Sequence, residues 1–169
     1  MIFLAKRNPS EALMGRQFSL YFEDSMSSLT TPNGTTNTLN RISSVTLGTR
    51  TTWLWRGFFK PSSNADYQFR TTSDDASYLW LGTNGRFEDT NLNTSDAIVQ
   101  NGGLHGSTTV TSSKYTLSAG LFYPIAIVAG NYEGPGSITV EFTDGNFGWV
   151  SDGTGFYFRN PRASNGYNL

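Results

Sequence analysis

Residues 66–82 read DYQFRTTSDDASYLWLG, and the interpretation of the whole chain depends on this stretch. Tyr67 and Phe69 alternate with polar neighbours, which is the period of a half-buried β-strand. A second apolar run, SYLWL, is too short for a helix and stops at a glycine. The two runs predict neighbouring strands, and the connection between them carries Asp74 and Asp75, the densest negative charge in the chain.

Two interpretations of this aspartate pair are open. Successive side chains on a strand point to opposite faces, so Asp74 and Asp75 can bind one partner only if the backbone bends sharply between them. An unusual peptide bond, even a cis bond without proline, would give that bend. Ca²⁺ would suit such a site, because it takes about 6–8 oxygen ligands in flexible geometry. The simpler interpretation is a turn between strands, since aspartate is a common turn former, and these residues alone favour it.

The composition predicts one all-β domain. The 169 residues include 18 glycines and are 14% aromatic but only 15% charged, so turn formers separate β-branched and aromatic runs, as in a sandwich or barrel. The net charge of −1 gives no electrostatic footprint for nucleic acid or an anionic membrane. The absence of cysteine excludes disulfides and thiolate metal sites.

The ends of the chain are predicted to lie outside the domain. No stretch approaches the roughly 20 apolar residues of a membrane span, so we expect no membrane insertion. The apolar start is followed by its positive charges, the reverse of a signal peptide, which indicates a mature fragment or a product assembled in the cytosol. Asn8 and Gly15 fit the N-cap and the stop of one short helix. We therefore predict an anchor or extension over residues 1–14 and a polar tail over residues 161–169.

Further strands follow from apolar and aromatic runs. Residues 25–40 are polar and are expected to form a long exposed loop. The aromatic residues of 47–59 are expected to pack in the core. Strands are predicted at residues 17–22, 107–110, 114–117, 122–129, 137–143 and 155–158.

Taken in order, several short motifs resemble the protective-antigen-type (PA-fourteen) carbohydrate-binding domain, especially its GLEYA and yeast flocculin adhesin branch. The resemblance covers roughly residues 15–158, and it depends on the order and spacing of the motifs together. The motifs are WRGFFKP at 55–61, YQF at 67–69, SDDASYLWLG at 73–82, GGLHG at 102–106, YPIAIV at 123–128, Asn131, SITVEFTDG at 137–145 and GFYF at 155–158.

The resemblance implies an antiparallel, jelly-roll-like β-sandwich over residues 15–160 with two calcium loops. The first loop would be Asp74 and Asp75 joined by a cis peptide bond. The second loop would supply the side chain of Asn131 and the main-chain carbonyls of about Glu133 and Pro135. In sugar-binding members of the family, the ion itself contacts ligand hydroxyls, so binding depends on calcium.

The chemistry of these residue types agrees with that expectation. Two carboxylates, an amide oxygen and two carbonyls leave coordination positions open on a hard cation, and vicinal sugar hydroxyls can fill them. Tyr132, beside Asn131, is the candidate for stacking against a sugar ring, although it can equally be a partly exposed loop tyrosine. Trp149 and His105 are weaker candidates for ligand contact.

The sequence does not predict an enzyme. Glycoside hydrolysis needs two carboxyl groups roughly 5–10 Å apart across the scissile bond, whereas Asp74 and Asp75 are adjacent. There is no cysteine, and a serine triad would have to use His105, the one histidine. The chain has neither a Gly-x-Ser-x-Gly elbow nor a His-Glu-x-x-His zinc motif.

Two functional hypotheses remain at this stage. The first is a calcium-dependent carbohydrate-binding or adhesion module that recognises surface glycans. The second is a structural virion component, such as a phage decoration or fibre protein, that uses the same sandwich to bind other assembly proteins. The expected location is an extracellular or virion surface, and both hypotheses can hold together.

Overall fold

The computed structural model describes residues 12–24, 29, 31–82 and 92–159. Within these residues the chain is almost entirely β-structure with two short 3₁₀ segments, Phe22–Asp24 and Thr94–Asp96. No helix in this described part is long and apolar enough to cross a membrane. The described strands are β1 Leu13–Phe18, β2 Thr36–Leu39, β3 Val45–Leu47, β4 Thr51–Phe59, β5 Ala65–Asp74, β6 Ser77–Leu81, β7 Val99–Asn101, β8 Thr108–Thr111, β9 Tyr115–Leu117, β10 Tyr123–Asn131, β11 Gly136–Thr143 and β12 Tyr157–Phe158.

These strands form two antiparallel sheets around a common core. The first sheet has the order β2-β1-β4-β10-β6-β7, and β12 also pairs with β4. The second sheet has the order β3-β11-β5-β8, and β9 also pairs with β5. The prediction of an all-β antiparallel sandwich is therefore confirmed.

The core between the sheets is built around the ring of Phe59. Its centroid lies 5.0 Å from that of Phe69 on β5 and 5.0 Å from that of Phe142 on β11. Tyr157 of β12 packs edge-on at 6.1 Å. Edge-to-face pairs of this kind stabilise by about 0.5–1.5 kcal/mol beyond the area that they bury. One side chain of the first sheet thus fixes the position of the second sheet.

The central strands of the first sheet, β4 and β10, are buried on both faces, which explains their near-continuous apolar sequences. Trp53 and Trp55 point into the core, whereas Leu54 between them belongs to a second cluster on the opposite face. That second cluster includes Phe18 and Phe22, so the segment after β1 folds over the outside of the sheet. The expectation that the aromatic residues of the 47–59 run pack in the core is confirmed for both tryptophans.

The helix expected over residues 8–15 is wrong for its described part. Residues 13–15 belong to β1, where Leu13 is fully buried and pairs with β2, while residues 8–11 lie outside the described residues. Burial against β4 overrides the local capping signals of this segment. The last two residues of the predicted extension over residues 1–14 therefore belong to the sandwich. The predicted tail over residues 161–169 lies outside the described residues.

Two other boundaries near the start of the chain differ from expectation. The strand predicted at 17–22 is β1, which ends at Phe18, because Phe22 turns into a 3₁₀ segment and donates its main-chain N–H to Thr52 Oγ1 at 3.1 Å. The predicted loop over 25–40 contains the edge strand β2. The predicted strands at 107–110, 114–117, 122–129, 137–143 and 155–158 are confirmed by β8 to β12, with shifts of one or two residues at most of their ends.

The buried hydroxyl of Tyr157 generates a first prediction. Among the described residues it has no hydrogen-bond partner, and burial raises its pKa. An unsatisfied buried polar group costs about 1–3 kcal/mol. Tyr157→Phe is therefore expected to keep or raise the free energy of unfolding, measured by urea denaturation.

Tyr67→Phe is the matched control, because the hydroxyl of Tyr67 lies 3.1 Å from Ser63 Oγ and 3.3 Å from its main-chain N. Its loss is expected to lower the free energy of unfolding by about 0.5–1.5 kcal/mol. A larger loss for Tyr157→Phe than for Tyr67→Phe would contradict the assignment.

Candidate functional site

Several strand ends meet at one edge of the sandwich. β5 ends at Asp74 and β10 ends at Asn131, while Asp74 lies opposite Ser137 near the start of β11. The first residue of β4, Thr51, lies opposite Asn131. The fold thereby brings the aspartate pair and the asparagine together, although they are more than 50 residues apart in sequence.

Hydrogen bonds among buried side chains stabilise the ends of β5 and β6, on either side of the connection between them. Ser77 Oγ lies 2.8 Å from Ser73 Oγ and donates to Thr71 Oγ1 at 2.8 Å. Asn101 Nδ2 donates to Ser73 Oγ at 3.1 Å and to the main-chain oxygen of Thr108 at 2.8 Å. A buried polar network whose members are all hydrogen-bonded makes its surroundings rigid. The connection between β5 and β6 therefore begins and ends at positions that this network fixes. The peptide bond between the two aspartates is cis, as the family resemblance implied, whereas these residues alone had favoured a simple turn.

The carboxylate of Asp75 joins two loops that are distant in sequence. Its Oδ1 accepts the main-chain N–H of His105 at 3.1 Å, and its Oδ2 accepts the main-chain N–H of Tyr132 at 2.9 Å. Only 8% of Asp75 is exposed. An ionised carboxylate offers about four lone-pair sites, so these two bonds leave acceptor capacity for a further partner.

Asn131 presents a buried acceptor without a partner. Its Nδ2 donates to the carbonyl of Gly134 at 2.8 Å and to that of Gly48 at 3.3 Å. These two bonds orient the amide, and its Oδ1 then has no hydrogen-bond donor in the described part of the chain, although the residue is fully buried. A buried acceptor of this kind normally has a ligand, water or donor beside it.

Gly136 provides the space that Asn131 occupies. A Cβ atom at this position would lie 2.5 Å from Asn131 Cγ and 2.6 Å from the main-chain oxygen of Asp74. Both distances are below any normal contact of a Cβ atom. The missing side chain therefore lets the amide of Asn131 approach the backbone of the aspartate loop.

The residues at this edge carry the donor types that a hard cation takes. They are the carboxylates of Asp74 and Asp75 and the free Oδ1 of Asn131. Glu133 and Pro135 follow in an exposed loop. The described residues contain no group of three or more His, Asp or Glu side chains that could hold a metal. A cation here would therefore depend on amide and carbonyl oxygens as much as on carboxylates.

Tyr132 does not have both ring faces free. The guanidinium carbon of Arg50 lies 3.9 Å from the centroid of this ring, and the ring of Tyr21 meets it edge-on at 5.6 Å. Arg50 was not among the residues predicted from sequence, because nothing in its local sequence links it to a loop some 80 residues later.

Glu23, also missed from the sequence, holds the glycine-rich loop at residues 102–106. Its carboxylate accepts the hydroxyls of Tyr21 at 2.9 Å and Tyr78 at 2.8 Å, and the main-chain N–H of Gly103 at 2.9 Å. Burial, followed by the hydrogen bond to Glu23, raises the pKa of both tyrosines, so both hydroxyls stay protonated as donors. The loop carries Leu104, which is 63% exposed.

The two weaker candidates differ in position. His105 lies at the site through its main-chain bond to Asp75, but its ring Nδ1 is 2.8 Å from the carbonyl of Gly106 in its own loop. Trp149 packs under the guanidinium of Arg70 at 4.3 Å. Among the described residues, the ring of Trp149 contacts β5 of the second sheet and does not contact the site residues named above.

Comparisons with known proteins agree with this architecture. Residues 51–144, more than half of the chain, match the GLEYA domain. A search among curated protein sequences gives no significant match.

Solved structures show the same fold at low sequence identity. The epithelial adhesin 6 A domain from Candida glabrata, crystallised with Galβ1-3GlcNAc, aligns with a TM-score of 0.68 and 17% identity over 94% of this chain and 91% of that one. The PA14 domain of the MpAFP antifreeze protein gives 0.69 and 12% over 93% and 96%. A PA14 sugar-binding domain from an RTX adhesin gives 0.67 and 15% over 89% and 99%.

The different bonding of the two aspartates generates a second prediction. Asp75→Ala removes the acceptor for two main-chain N–H groups, so in the presence of chelator it is expected to lower the free energy of unfolding by about 2–4 kcal/mol. Asp74→Ala removes a carboxylate that makes no hydrogen bond to the described residues, and we expect a change below about 1 kcal/mol. Urea denaturation measures both. Equal losses for the two variants would contradict the described contacts.

The close approach at Gly136 generates a third prediction. Gly136→Ala is expected to lower the free energy of unfolding by about 1–3 kcal/mol, because its new methyl group overlaps Asn131 and the backbone of Asp74. Gly148→Ala is the control, since a Cβ atom there meets nothing within 4 Å, and we expect a change within about 0.5 kcal/mol. The same urea titration compares them, and an unaffected Gly136→Ala would show that the space is not needed.

Proposed function

Because the chain belongs to the GLEYA domain family, we propose that it is a carbohydrate-binding module that recognises surface glycans with the help of a calcium ion. The single observation that carries the proposal is the buried, unpartnered Oδ1 of Asn131 beside the aspartate loop. Burial of an acceptor without a partner costs free energy, which a cation beside this oxygen would offset.

In this proposal the ion is held by the carboxylates of Asp74 and Asp75, the Oδ1 of Asn131 and the carbonyls of Glu133 and Pro135. When bound, the ion supplies coordination positions for vicinal hydroxyls of a sugar. The chain's own part is to hold these donors in place, through the bonds from Asp75 to two loops and from Asn131 to two carbonyls.

The solved relatives support the choice of a glycan as partner. The epithelial adhesin domain was crystallised with a disaccharide, and the RTX adhesin domain is described as sugar-binding. The sugar binding named for these two relatives is consistent with a position of this module on an outer surface. We propose binding without catalysis, because Asp75 is held by main-chain donors beside Asp74, rather than facing it across a cleft.

The alternative is a structural component of a virion or other surface assembly that uses the sandwich for packing alone. Nothing among the described residues specifically favours it. It differs from the first proposal in one measurable respect, because a packing module has no need of a cation at Asn131.

Thermal melting with CaCl₂ and with chelator is the test of the cation. An ion present at 100 times its dissociation constant adds about 2.7 kcal/mol to the stability of the folded state, so the midpoint is expected to rise. Asp74→Ala is expected to abolish this rise. Asp96→Ala, which changes an exposed aspartate in the 3₁₀ segment Thr94–Asp96, is expected to retain it. A midpoint that does not respond to calcium would refute the calcium site.

Binding to an array of immobilised neutral and carboxylate-bearing oligosaccharides, including Galβ1-3GlcNAc, tests the glycan. Retention in calcium and release by chelator are the expected results. A calcium-dependent midpoint without retention on any oligosaccharide would support a metal-stabilised assembly protein instead.

A further inference from the structure

The main chain of Arg50 is fastened to the loop that follows Asn131. Arg50 comes directly before β4, whose first residue pairs with Asn131, and its N–H donates to the carbonyl of Tyr132 at 3.2 Å. Its φ of +48° lies in the left-handed region, which an arginine rarely adopts. The mouth of the site thus carries a cationic residue in a defined backbone position.

The side chain of Arg50 covers one face of the Tyr132 ring. The guanidinium carbon lies 3.9 Å from the ring centroid, which is a close cation–π contact. Tyr21 approaches the same ring edge-on. A sugar could stack on the covered face only by displacing the guanidinium, so the ring serves better as a support for Arg50 than as a stacking surface on that side.

The guanidinium retains donors for a ligand. Its side chain is 50% exposed. Within the described part of the chain its carboxylate partner is Asp24, whose Oδ2 lies 3.9 Å from Nη1, which is longer than a hydrogen bond. A guanidinium has five N–H donors in a planar fork, and the ring beneath it limits its rotation. Two adjacent acceptor oxygens on a ligand are the group that such a fork recognises.

On the basis of the proposed glycan-binding function, we infer that Arg50 is a specificity-determining residue of the site. It donates hydrogen bonds to two adjacent hydroxyls of a neutral sugar, and Tyr132 is the platform that positions it. The ligand is therefore bound from two sides, by the donor set around Asn131 and by the guanidinium.

The surrounding charges favour hydroxyls over a carboxylate on the ligand. Asp24, whose side chain is 63% exposed, and the exposed Glu133 flank Arg50 and its platform. Glu23 adds a third negative charge nearby, bonded to Tyr21. With calcium bound as proposed, the ion and Arg50 contribute three positive charges, against five negative charges from Asp74, Asp75, Asp24, Glu133 and Glu23. A sugar carboxylate would therefore enter surroundings of net negative charge, whereas hydroxyls carry no such penalty.

The test measures binding of Arg50→Ala and Arg50→Lys to the oligosaccharide array in calcium. Loss of a charge-assisted hydrogen bond weakens binding at least about tenfold. We expect that loss for Arg50→Ala on neutral oligosaccharides, and a smaller loss for Arg50→Lys, because an ammonium lacks the planar fork. The calcium-dependent rise of the midpoint is expected to remain in both variants, which shows that they fold and keep the cation donors.

Arg70→Ala is the matched control, since Arg70 also stacks on an aromatic ring and pairs with a carboxylate, but on the second sheet. It is expected to leave glycan retention unchanged. Unchanged binding by Arg50→Ala would overturn the inference, because the guanidinium would then contribute nothing to affinity. Tighter binding would also overturn it, because the sugar would then stack on the ring of Tyr132 that the substitution uncovers. Preferential binding of carboxylate-bearing oligosaccharides by the unaltered protein would also overturn it. Failure of the unaltered protein to retain any oligosaccharide would instead refute the proposed function on which the inference rests.

Discussion

The Asp75 carboxylate accepts main-chain N–H groups from two loops that lie about 30 and 57 residues later in the chain. Those loops carry His105 and Tyr132, so a single side chain sets the distance between the two walls of the site. Because both donors are backbone groups, the bonds constrain the course of the loops and not merely the tips of side chains. The positions of the surrounding groups, including Arg50 over the Tyr132 ring, follow from that constraint.

The two sheets contribute differently to the site. The first sheet, whose central strands are buried on both faces, supplies Asn131 at the end of β10 and the start of β4 beside Arg50. The second sheet supplies the end of β5 and the start of β11, where Gly136 makes room for the asparagine. Between the apolar core and this edge lies the buried network of Ser73, Ser77 and Asn101. The hydrogen bonds of this network satisfy its buried side chains where the polar loops join the close-packed core.

Apolar runs and alternation in the local sequence predicted the central strands of the fold. The long apolar run of β10 and the alternation in β5 and β11 identified the central strands. The cis peptide bond was expected only from the order of several motifs together, since the aspartate pair alone favoured a turn. Local pattern failed at Leu13, where helix-capping signals compete with a buried position in β1 and the pairing of β1 with β2 and β4 decides. It also missed Arg50 and Glu23, because their partners lie about 80 residues away and their role arises from the assembled loops.

Asp75 and Asn131 are both held by hydrogen bonds to main-chain groups, and this has a kinetic consequence for the proposed site. Binding to such a site requires little ordering of the loops. Encounter and dehydration, and not loop ordering, therefore limit the rate of association with the proposed site. Differences between ligands then appear as differences in dissociation rate and hence in residence time. In the proposed glycan-binding module, residence time would determine how long a contact resists shear, so the rigidity set by one buried carboxylate would bear on attachment under flow.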